Sequence, residues 1–443
     1  MPKAKIAVLG AGPVGALCSI YLARHGYKVE LYEKRSDLRK TKLAAGRSIN
    51  LALANRGISA LSRINIFDAV KPILIPMKGR YVHDSAVSEP FQPYGHKPTD
   101  VIYSVSRNKL NQILLDIAEE SGVDIFFDHD IGTVDLDAST LELNTPARSK
   151  TISFDRIIGA DGAGSVLRAA ILAKRCMQNS VESLGHSYKE LTILPDSNGQ
   201  FKMEKEALHI WPRGNFMLIA LPNLDGSFTL TLFMPQSGPV SFESLDTKAK
   251  VKEFFEQTFP DTIKLIDNLE ESFFENPTSR LATMRCKPWH LNDKALLIGD
   301  AAHAIVPFHG QGMNCGFEDC EYLDQLLAEH DDFQMIFEAF EKERKKNADA
   351  IADMALDNYI EMRDLVRDPE FIESRQIALA LAKRFGDAFM PRYSMVMFET
   401  LPYSEAQRKG EIQKSILSTL AKQKLEDQSI DFKLAEKLIS ERL

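Results

Sequence analysis

Residues 296–319, LLIGDAAHAIVPFHGQGMNCGFED, place an acidic residue at the end of an apolar strand, followed by a glycine-rich approach to a helix. The predicted strand ends at Gly299 and Asp300, and a helix is predicted to begin near Gly312. A helix start offers unpaired backbone N–H groups and a partial positive charge. These features suit a ligand with sugar hydroxyls at one end and an electron-rich ring at the other. A flavin dinucleotide is such a ligand.

A glycine motif near the N-terminus predicts a dinucleotide site. Residues 10–15, GAGPVG, follow a short apolar strand and open a helical pattern, and Glu33 ends the next predicted strand. Gly10 makes the tight turn, Gly12 lets the backbone approach a pyrophosphate, and Gly15 allows close helix–strand packing. The phosphates would face the helix start, and Glu33 would accept ribose hydroxyls. A glycine-rich turn in an unrelated α/β unit is the alternative.

Two further residues at strand ends are candidates for the same cleft. Asp161 lies in the cluster GADG (159–162) after another short strand, and Arg107 opens a strong helical pattern. Asp161 is predicted to line the nucleotide cleft, although such a cluster is also ordinary turn chemistry. Arg107 is placed to reach the pyrophosphate, and a surface cap is its alternative role.

The composition limits the classes of function. The chain has 443 residues, 44% hydrophobic and 26% charged, which is typical of a globular protein with two or three domains. A net charge of -8 argues against a nucleic-acid partner. Five cysteines without a C-x-x-C pair predict neither a disulfide framework nor a metal site, and they indicate a reducing compartment. We see no signal peptide and no apolar run near about 18 residues, so we expect a soluble cytoplasmic protein without a membrane span.

The order of predicted elements indicates an α/β fold: a Rossmann-like FAD-binding domain, an inserted antiparallel β-sheet substrate domain and a helical C-terminal region. Alternating strands and helices assign the discontinuous FAD-binding domain to residues 1–175 and 285–330. Alternating apolar and polar residues assign the sheet domain to 176–284, with contributions from about 77–106. Helical periodicity assigns the C-terminal region to 331–443.

Three local predictions accompany this assignment. Residues 35–55 are polar and predict a long loop. Residues 263–269 predict a helix inside the sheet domain. The C-terminal region is predicted to begin with two separate helices, over 333–352 and 356–366.

Three nucleotide stretches, GAGPVG at 10–15, GADGAGSVLR at 159–168 and GDAAHAIVPFHGQGMN at 299–314, occur in the order and at separations typical of single-component FAD-dependent aromatic hydroxylases. Further segments carry a more specific match, namely GRSINLALANRG, KGRYVH, PYG, SVSRNKLN, YKEL, LHIWPRG, MLIALPN, SFTLTLF, NYIEM and PRYSMV. Within that group the chain resembles the kynurenine 3-monooxygenase family over roughly residues 3–415. Ser187 replaces the glycine usual in the HGYKEL-like stretch, and the long C-terminal membrane anchor of the family's eukaryotic members is not found.

The resemblance implies an activity. FAD would be bound and reduced by NADPH, and O₂ would then form a flavin C4a-hydroperoxide. Its distal oxygen would hydroxylate L-kynurenine ortho to the amine, giving 3-hydroxy-L-kynurenine in tryptophan degradation and NAD biosynthesis, with no protein nucleophile required. The expected partners are these small molecules and a second copy of the chain in a homodimer. A related hydroxylase of another aromatic acid and a non-catalytic flavin-binding sensor are the alternatives.

The resemblance also implies the substrate contacts. Arg80 and Tyr94 resemble the groups that hold the substrate carboxylate, which an arginine fork matches bidentately, and Asn358 and Tyr393 resemble contacts to the amino-acid end. The alternatives are a surface salt bridge for Arg80, an interior tyrosine for Tyr393 and a helix-surface amide for Asn358. The apolar residues that resemble walls around the aromatic ring, with core packing as their alternative, are Phe233, Met217, Ile219, Ile102, Met362, Pro307 and Phe308.

On the cofactor side, Asp300 is expected at the ribityl chain and the start of the following helix at the flavin pyrimidine. His303 and His309 lie in the same loop, but we expect structural roles because the implied mechanism asks no histidine to act. The residues expected to contact FAD are Gly10, Gly12, Val14, Gly15, Glu33, Arg35, Ala52, Arg107, Asp161, Asp300, Gly312, Met313 and Asn314.

Overall fold

The computed structural model divides into two compact units, each built from three chain segments. The described residues are 4–40, 50–84, 89–95, 97–175, 178–363, 368–423 and 429–443. The first unit comprises Met1–Leu74, Val105–Leu184 and Leu281–Asp349. The second comprises Ile75–Ser104, Gly185–Arg280 and Ala350–Leu443, so it includes most of the helical C-terminal region. The predicted domain boundaries themselves stay a prediction.

Both units contain strands and helices, and the chain ends in a run of helices that belongs to the second unit. In the described residues the strands are β1 (Lys5–Leu9), β2 (Lys28–Tyr32), β3 (Asn50–Leu53), β4 (Leu74–Met77), β5 (Gly79–Val82), β6 (Phe91–Pro93), β7 (Ile102–Ser106), β8 (Asp124–Phe126), β9 (Asp130–Asp135), β10 (Thr140–Asn144), β11 (Ser149–Ser153), β12 (Arg156–Gly159), β13 (Gln178–Ile193), β14 (Ala207–Pro212), β15 (Met217–Pro222), β16 (Phe228–Pro235), β17 (Thr278–Lys287), β18 (His290–Leu291) and β19 (Ala295–Leu297). The α-helices are α1 (Pro13–Arg24), α2 (Asn55–Arg63), α3 (Phe67–Val70), α4 (Arg107–Glu120), α5 (Val166–Lys174), α6 (Lys248–Thr258), α7 (Leu269–Glu275), α8 (Asp300–His303), α9 (Gly312–Glu329), α10 (Phe333–Arg363), α11 (Pro369–Phe385), α12 (Arg392–Met397), α13 (Tyr403–Lys422) and α14 (Phe432–Arg442).

A six-stranded sheet in the order β18-β19-β12-β1-β2-β8 forms the centre of the first unit. Its strands are parallel except for the antiparallel pair of β18 and β19. Parallel strands are covered on both faces and are therefore apolar throughout, and Ile6 to Leu9 of β1 are fully buried. The predicted nucleotide stretches follow β1, β12 and β19, so they meet at the carboxyl edge of this sheet, where α/β proteins bind ligands.

An antiparallel sheet forms the centre of the second unit. Strands β13, β16, β15 and β14 are antiparallel neighbours, and β5 follows as a parallel partner of β14. Side chains alternate between the two faces of a strand. One face packs Trp211, Leu218 and Leu230 against Phe255 of α6 and Phe273 of α7 in a buried cluster. The other face carries a different set of residues, which the candidate site uses.

Three local predictions were wrong. Part of the predicted loop 35–55 is the strand β3, whereas residues 41–49 lie outside the described residues. The predicted helix at 263–269 is a series of turns, and α7 begins only after Asn268, whose φ of +54° interrupts a right-handed helix. The described parts of the two helices predicted from residue 333 form the single helix α10, because neither glycine nor proline interrupts it. Residues 364–366 of the second predicted helix lie outside the described residues.

No described helix is both long enough and apolar enough to cross a lipid bilayer.

Candidate active site

The N-terminal glycine motif forms a tight strand–turn–helix junction. Gly10 has a φ of +92°, and a Cβ atom there would lie 2.6 Å from the carbonyl oxygen of Ala160. A Cβ atom on Gly15 would clash with the Gly10 carbonyl oxygen, whereas one on Gly12 would meet no described atom within 4 Å. The motif is therefore closed where helix and strand pack and open at Gly12, as a cradle for a pyrophosphate requires.

The start of α1 and the end of β2 add a positive end and a fixed carboxylate. Among the described residues, no side chain caps α1 at Gly12, and its first turn holds no acidic residue. The helix dipole is thus available to phosphates. Glu33 accepts backbone N–H bonds from Ala11 and Arg35, each at 3.0 Å. These two bonds hold its carboxylate at the carboxyl edge of the sheet, while the Arg35 side chain is exposed.

Asp161 and Arg168 connect the second nucleotide stretch to its surroundings. Asp161 Oδ2 accepts the backbone N–H of Val166 at 2.7 Å and so caps α5, which is the turn role considered as an alternative. Its other oxygen, Oδ1, is buried without a hydrogen-bond partner in the described chain, so it can accept a bond from a ligand. Arg168, to which the sequence analysis gave no role, donates from Nη1 to the Ala301 carbonyl oxygen at 2.9 Å.

Val14 lies in the N-terminal glycine motif and packs it against the stretch that begins at Gly299. A Cβ atom on Gly299 would lie 3.1 Å from Val14 Cγ1, and one on Gly316 would lie 2.6 Å from Val14 Cγ2. Glycine at both positions therefore lets α1 approach the β19 turn and α9 closely.

Asp300 and Arg107, predicted from separate motifs, lie within electrostatic reach of each other. Asp300 is exposed to solvent, yet the protein around it removes enough hydration to raise the pKa of its carboxyl group. The positive charges of His303 and Arg107 oppose this effect and lower that pKa. Arg107 is itself exposed at the start of α4.

The Asn314 side chain is bonded entirely within the protein. Its Oδ1 accepts the Ala54 N–H at 2.9 Å, and its Nδ2 donates to the carbonyl oxygens of Ala52 and Gly310, each at 2.8 Å. A contact of Asn314 with a ligand would therefore involve its backbone. In the described chain no side chain caps the start of α9, so the first N–H groups of this helix can face a ligand.

The other predicted residues of this stretch surround that helix start. Gly312 and Met313 are partly exposed at the beginning of α9. Pro307 and Phe308 form a short 3₁₀ helix in which Pro307 is exposed and Phe308 is buried. Both belong to the first unit, whereas the other predicted substrate residues belong to the second.

In the second unit, Arg80 on β5 contacts two tyrosine rings. Its guanidinium carbon lies 4.7 Å from the Tyr393 ring centroid and 5.8 Å from that of Tyr94, and the two rings are stacked 5.8 Å apart. Arg80 also forms side-chain hydrogen bonds with both tyrosines. Its Nε is buried without a partner, and no described carboxylate pairs with it. Arg80 is thus not the surface salt bridge considered as an alternative.

A second arginine, Arg375 on α11, lies near Arg80 and was missed by the sequence analysis. Burial and the Arg80 charge lower the pKa of Arg375 to about 10. Among the described residues neither guanidinium has an ion-pair partner, although Glu361 is close enough to raise the pKa of both. Two neighbouring cations without an anion of their own form a site for a carboxylate.

Arg392 fixes the position of Tyr393. It bonds to Asp357 at 2.9 Å and to Glu361 at 3.0 Å, so α12 is held against α10 one residue before the ring that covers Arg80. Asn358, next to Asp357 on α10, is buried. Of the four predicted polar contacts, Arg80, Tyr94 and Tyr393 come together directly.

Three of the predicted apolar residues share one face of the sheet with Arg80. Met217 pairs with Phe233 across β15 and β16, and successive partners through β14 link Ile219 and Arg80 to the same face. This face is opposite the cluster that packs on α6. The shared face puts these three side chains on the same side of the sheet as Arg80, and their contacts with a substrate ring stay a prediction.

Two predicted apolar residues are buried elsewhere in the second unit. Ile102 lies on β7, and Met362 lies near the end of α10. The Asn358 side chain donates from Nδ2 to the Met362 sulfur at 3.3 Å. Their contacts with a substrate stay a prediction.

Comparison with known proteins shows the family. The sequence profile of the FAD binding domain family matches residues 3–355. The chain is 46% identical to the kynurenine 3-monooxygenase of Myxococcus xanthus, over 100% of this chain and 96% of that protein. It is 46% identical to that of Stenotrophomonas maltophilia (93% and 91%) and 45% identical to that of Flavobacterium psychrophilum (94% and 94%). The chain belongs to the kynurenine 3-monooxygenase family. The resemblance predicted from the sequence is confirmed.

Solved structures outside the kynurenine 3-monooxygenase family share its fold. The tetrameric 2-methyl-3-hydroxypyridine-5-carboxylic acid oxygenase superposes with a TM-score of 0.66 at 20% identity, over 84% of this chain and 96% of that chain. Klebsiella pneumoniae HpxO, complexed with FAD and uric acid, gives 0.66 at 18% identity, over 86% and 94%. At these identities the likeness concerns the fold, and the predicted α/β class is confirmed.

Proposed function

We propose that this chain is an FAD-dependent monooxygenase that uses NADPH and O₂ to hydroxylate L-kynurenine to 3-hydroxy-L-kynurenine. The observation that carries the substrate assignment is Arg80, whose guanidinium contacts the rings of Tyr94 and Tyr393 and has Arg375 nearby. Its Nε is buried and has no hydrogen-bond partner among the described residues. A substrate carboxylate supplies the missing acceptor, and an arginine fork binds a carboxylate bidentately.

The residues of the first unit fit FAD. The open backbone at Gly12 and the start of α1 would hold the pyrophosphate, and the fixed carboxylate of Glu33 would hold the ribose. Asp300 would bond the ribityl chain, and the start of α9 would face the ring. Bound FAD supplies the redox chemistry, namely acceptance of a hydride from NADPH and activation of O₂.

The protein's own groups act by position and charge. Arg80 and the two tyrosines anchor the amino-acid end of the substrate, so that the aromatic ring has one orientation. The sheet face with Met217 and Phe233 provides an apolar wall that keeps water from the ring. The kynurenine amine activates its own ring, so no protein nucleophile is needed. Backbone N–H groups at the start of α9 stabilise negative charge on a ligand beside them.

Stopped-flow reduction of the bound flavin by NADPH, with and without L-kynurenine, tests the proposal. We expect kynurenine to accelerate flavin reduction and 3-hydroxykynurenine to form in step with NADPH consumption. Acceleration only by another aromatic acid would indicate a related hydroxylase. A yellow protein inert to NADPH with every aromatic acid would indicate a binding protein without turnover.

Two expectations from the sequence remain proposals about the cellular form. The first is a homodimer, which light scattering of the purified holoenzyme would test through its mass. The second is a cytoplasmic location, which fractionation of expressing cells would test.

A further inference from the structure

Asp319 on α9 is the centre of a buried ion network beneath the third nucleotide stretch. Its carboxylate has no solvent exposure and accepts three hydrogen bonds. Oδ2 accepts the Gly299 N–H at 2.9 Å and His303 Nε2 at 2.6 Å, and Oδ1 accepts Arg344 Nε at 2.7 Å. The donors lie in the turn before Asp300, in α8 and in α10. One carboxylate therefore joins three segments to α9.

Arg344 extends the network to the beginning of α9 and to α2. Its Nη1 donates to Glu318, and its Nη2 donates to the Cys315 carbonyl oxygen at 3.1 Å. Arg56, which is fully buried on α2, pairs with the same Glu318 carboxylate. Removing one member of a buried ion pair leaves an uncompensated charge, so the positions of these segments depend on one another.

His303, Cys315 and Asp319 also lie close enough to share a metal ion, since their ligand atoms are within 4.8 Å of one another. Both Asp319 oxygens already accept hydrogen bonds, however, and the Arg344 cation beside them would repel a metal ion. Burial alone would lower the pKa of His303, but Asp319 and Cys315 raise it well above its ordinary value. The group is therefore better explained as an ion network than as a metal site.

We propose that Asp319 is a positioning residue for FAD, because it holds the Gly299 turn and α9 in one frame. This frame fixes where Asp300 and the first N–H groups of α9 meet the cofactor. The inference rests on the FAD site proposed above. Binding groups need support to within about 0.5 Å, and Asp319 supplies it without having to touch the flavin.

Charge and position predict opposite effects on the flavin midpoint potential. Loss of a nearby anion makes the flavin easier to reduce, whereas displacement of the α9 N–H groups withdraws stabilisation from the anionic reduced flavin. Because the inference assigns Asp319 a positioning role, we expect Asp319→Asn to make the flavin potential more negative and to speed FAD release on dilution about tenfold. Arg344→Lys keeps the positive charge but loses the forked guanidinium. It should therefore also make the flavin potential more negative and speed FAD release.

Glu30→Gln is the matched control. Glu30 is a buried carboxylate of the same unit, bonded to Lys5 at 2.8 Å and to the Tyr32 hydroxyl at 2.6 Å. This variant should lower Tm without changing FAD release or the flavin potential. An unchanged or more positive potential in Arg344→Lys overturns the inference, even if Asp319→Asn does not fold. A wild-type protein that purifies without flavin would contradict the proposed function instead.

Discussion

At the scale of single residues, substrate binding depends most on Arg80. Arg80→Ala removes charge-assisted hydrogen bonds worth about 1.5–3 kcal/mol, so KM for L-kynurenine should rise about 10- to 100-fold. The flavin spectrum should not change, because the residues proposed to hold FAD belong to the other unit. Steady-state NADPH oxidation at varied kynurenine concentration measures this.

Arg408→Ala, which removes an exposed arginine on α13, should leave KM unaltered. Loss of FAD, or an unchanged KM in Arg80→Ala, would assign Arg80 a different role.

His209 predicts how stability depends on pH. It is buried, and it bonds to His83 at 2.9 Å and to the Glu204 carbonyl oxygen at 2.8 Å. Burial lowers the pKa of His209 from 6.5 to about 4. His209 in the unfolded chain therefore binds a proton below about pH 6.5, whereas in the folded chain it binds one only below about pH 4. Because the unfolded state binds more protons between these values, stability is lost as pH falls through this window.

The expected loss from His209 is about 2 kcal/mol between pH 7 and pH 5. Urea unfolding at these two values, on wild type and His209→Gln, measures it. The variant should show a correspondingly smaller loss, because glutamine does not titrate. Equal losses in the two proteins would show that His209 does not govern this dependence.

At the scale of elements, two residues at the start of α5 allow helix capping to be distinguished from contact with FAD. Ser165 Oγ and Asp161 Oδ2 both accept N–H bonds at its start, but only Asp161 has a second buried oxygen without a described partner. Ser165→Ala and Asp161→Ala should each lower the free energy of unfolding of the apoprotein by about 0.5–2 kcal/mol. Only Asp161→Ala should also weaken FAD binding, measured by fluorescence quenching. If both variants bind FAD like wild type, Asp161 is a cap alone.

Elements set by local pattern could be predicted from the sequence, whereas contacts set by register or by distant segments could not. The turn at Gly10 and the carboxylate of Glu33 follow from neighbouring residues. Arg375 lies on a charged helix whose pattern does not distinguish it, and its role depends on Arg80, which lies far earlier in the chain. The burial of His209 beside His83 likewise depends on the parallel pairing of β5 with β14.

At the scale of the whole molecule, FAD should act as a folding ligand. Its proposed contacts come from several separated segments of the first unit, which must be folded together before they can bind. A ligand that binds only the native state stabilises it by about 2.7 kcal/mol at 100 times its Kd. Tm of the apoprotein should therefore rise with FAD concentration in a thermal-shift titration, and riboflavin, which lacks the pyrophosphate and adenosine, should raise it far less. An FAD-independent Tm would contradict the assigned site.

The two-faced sheet of the second unit restricts how the protein can evolve. Leu218 faces the aromatic core, while its neighbours Met217 and Ile219 face the proposed substrate side. Deleting one residue from β15 would exchange the two sets along the rest of the strand. Point substitutions at every second position of β15 can therefore change the substrate preference, whereas insertions and deletions in this strand would disrupt the core. Directed-evolution libraries should accordingly vary alternate codons at fixed length.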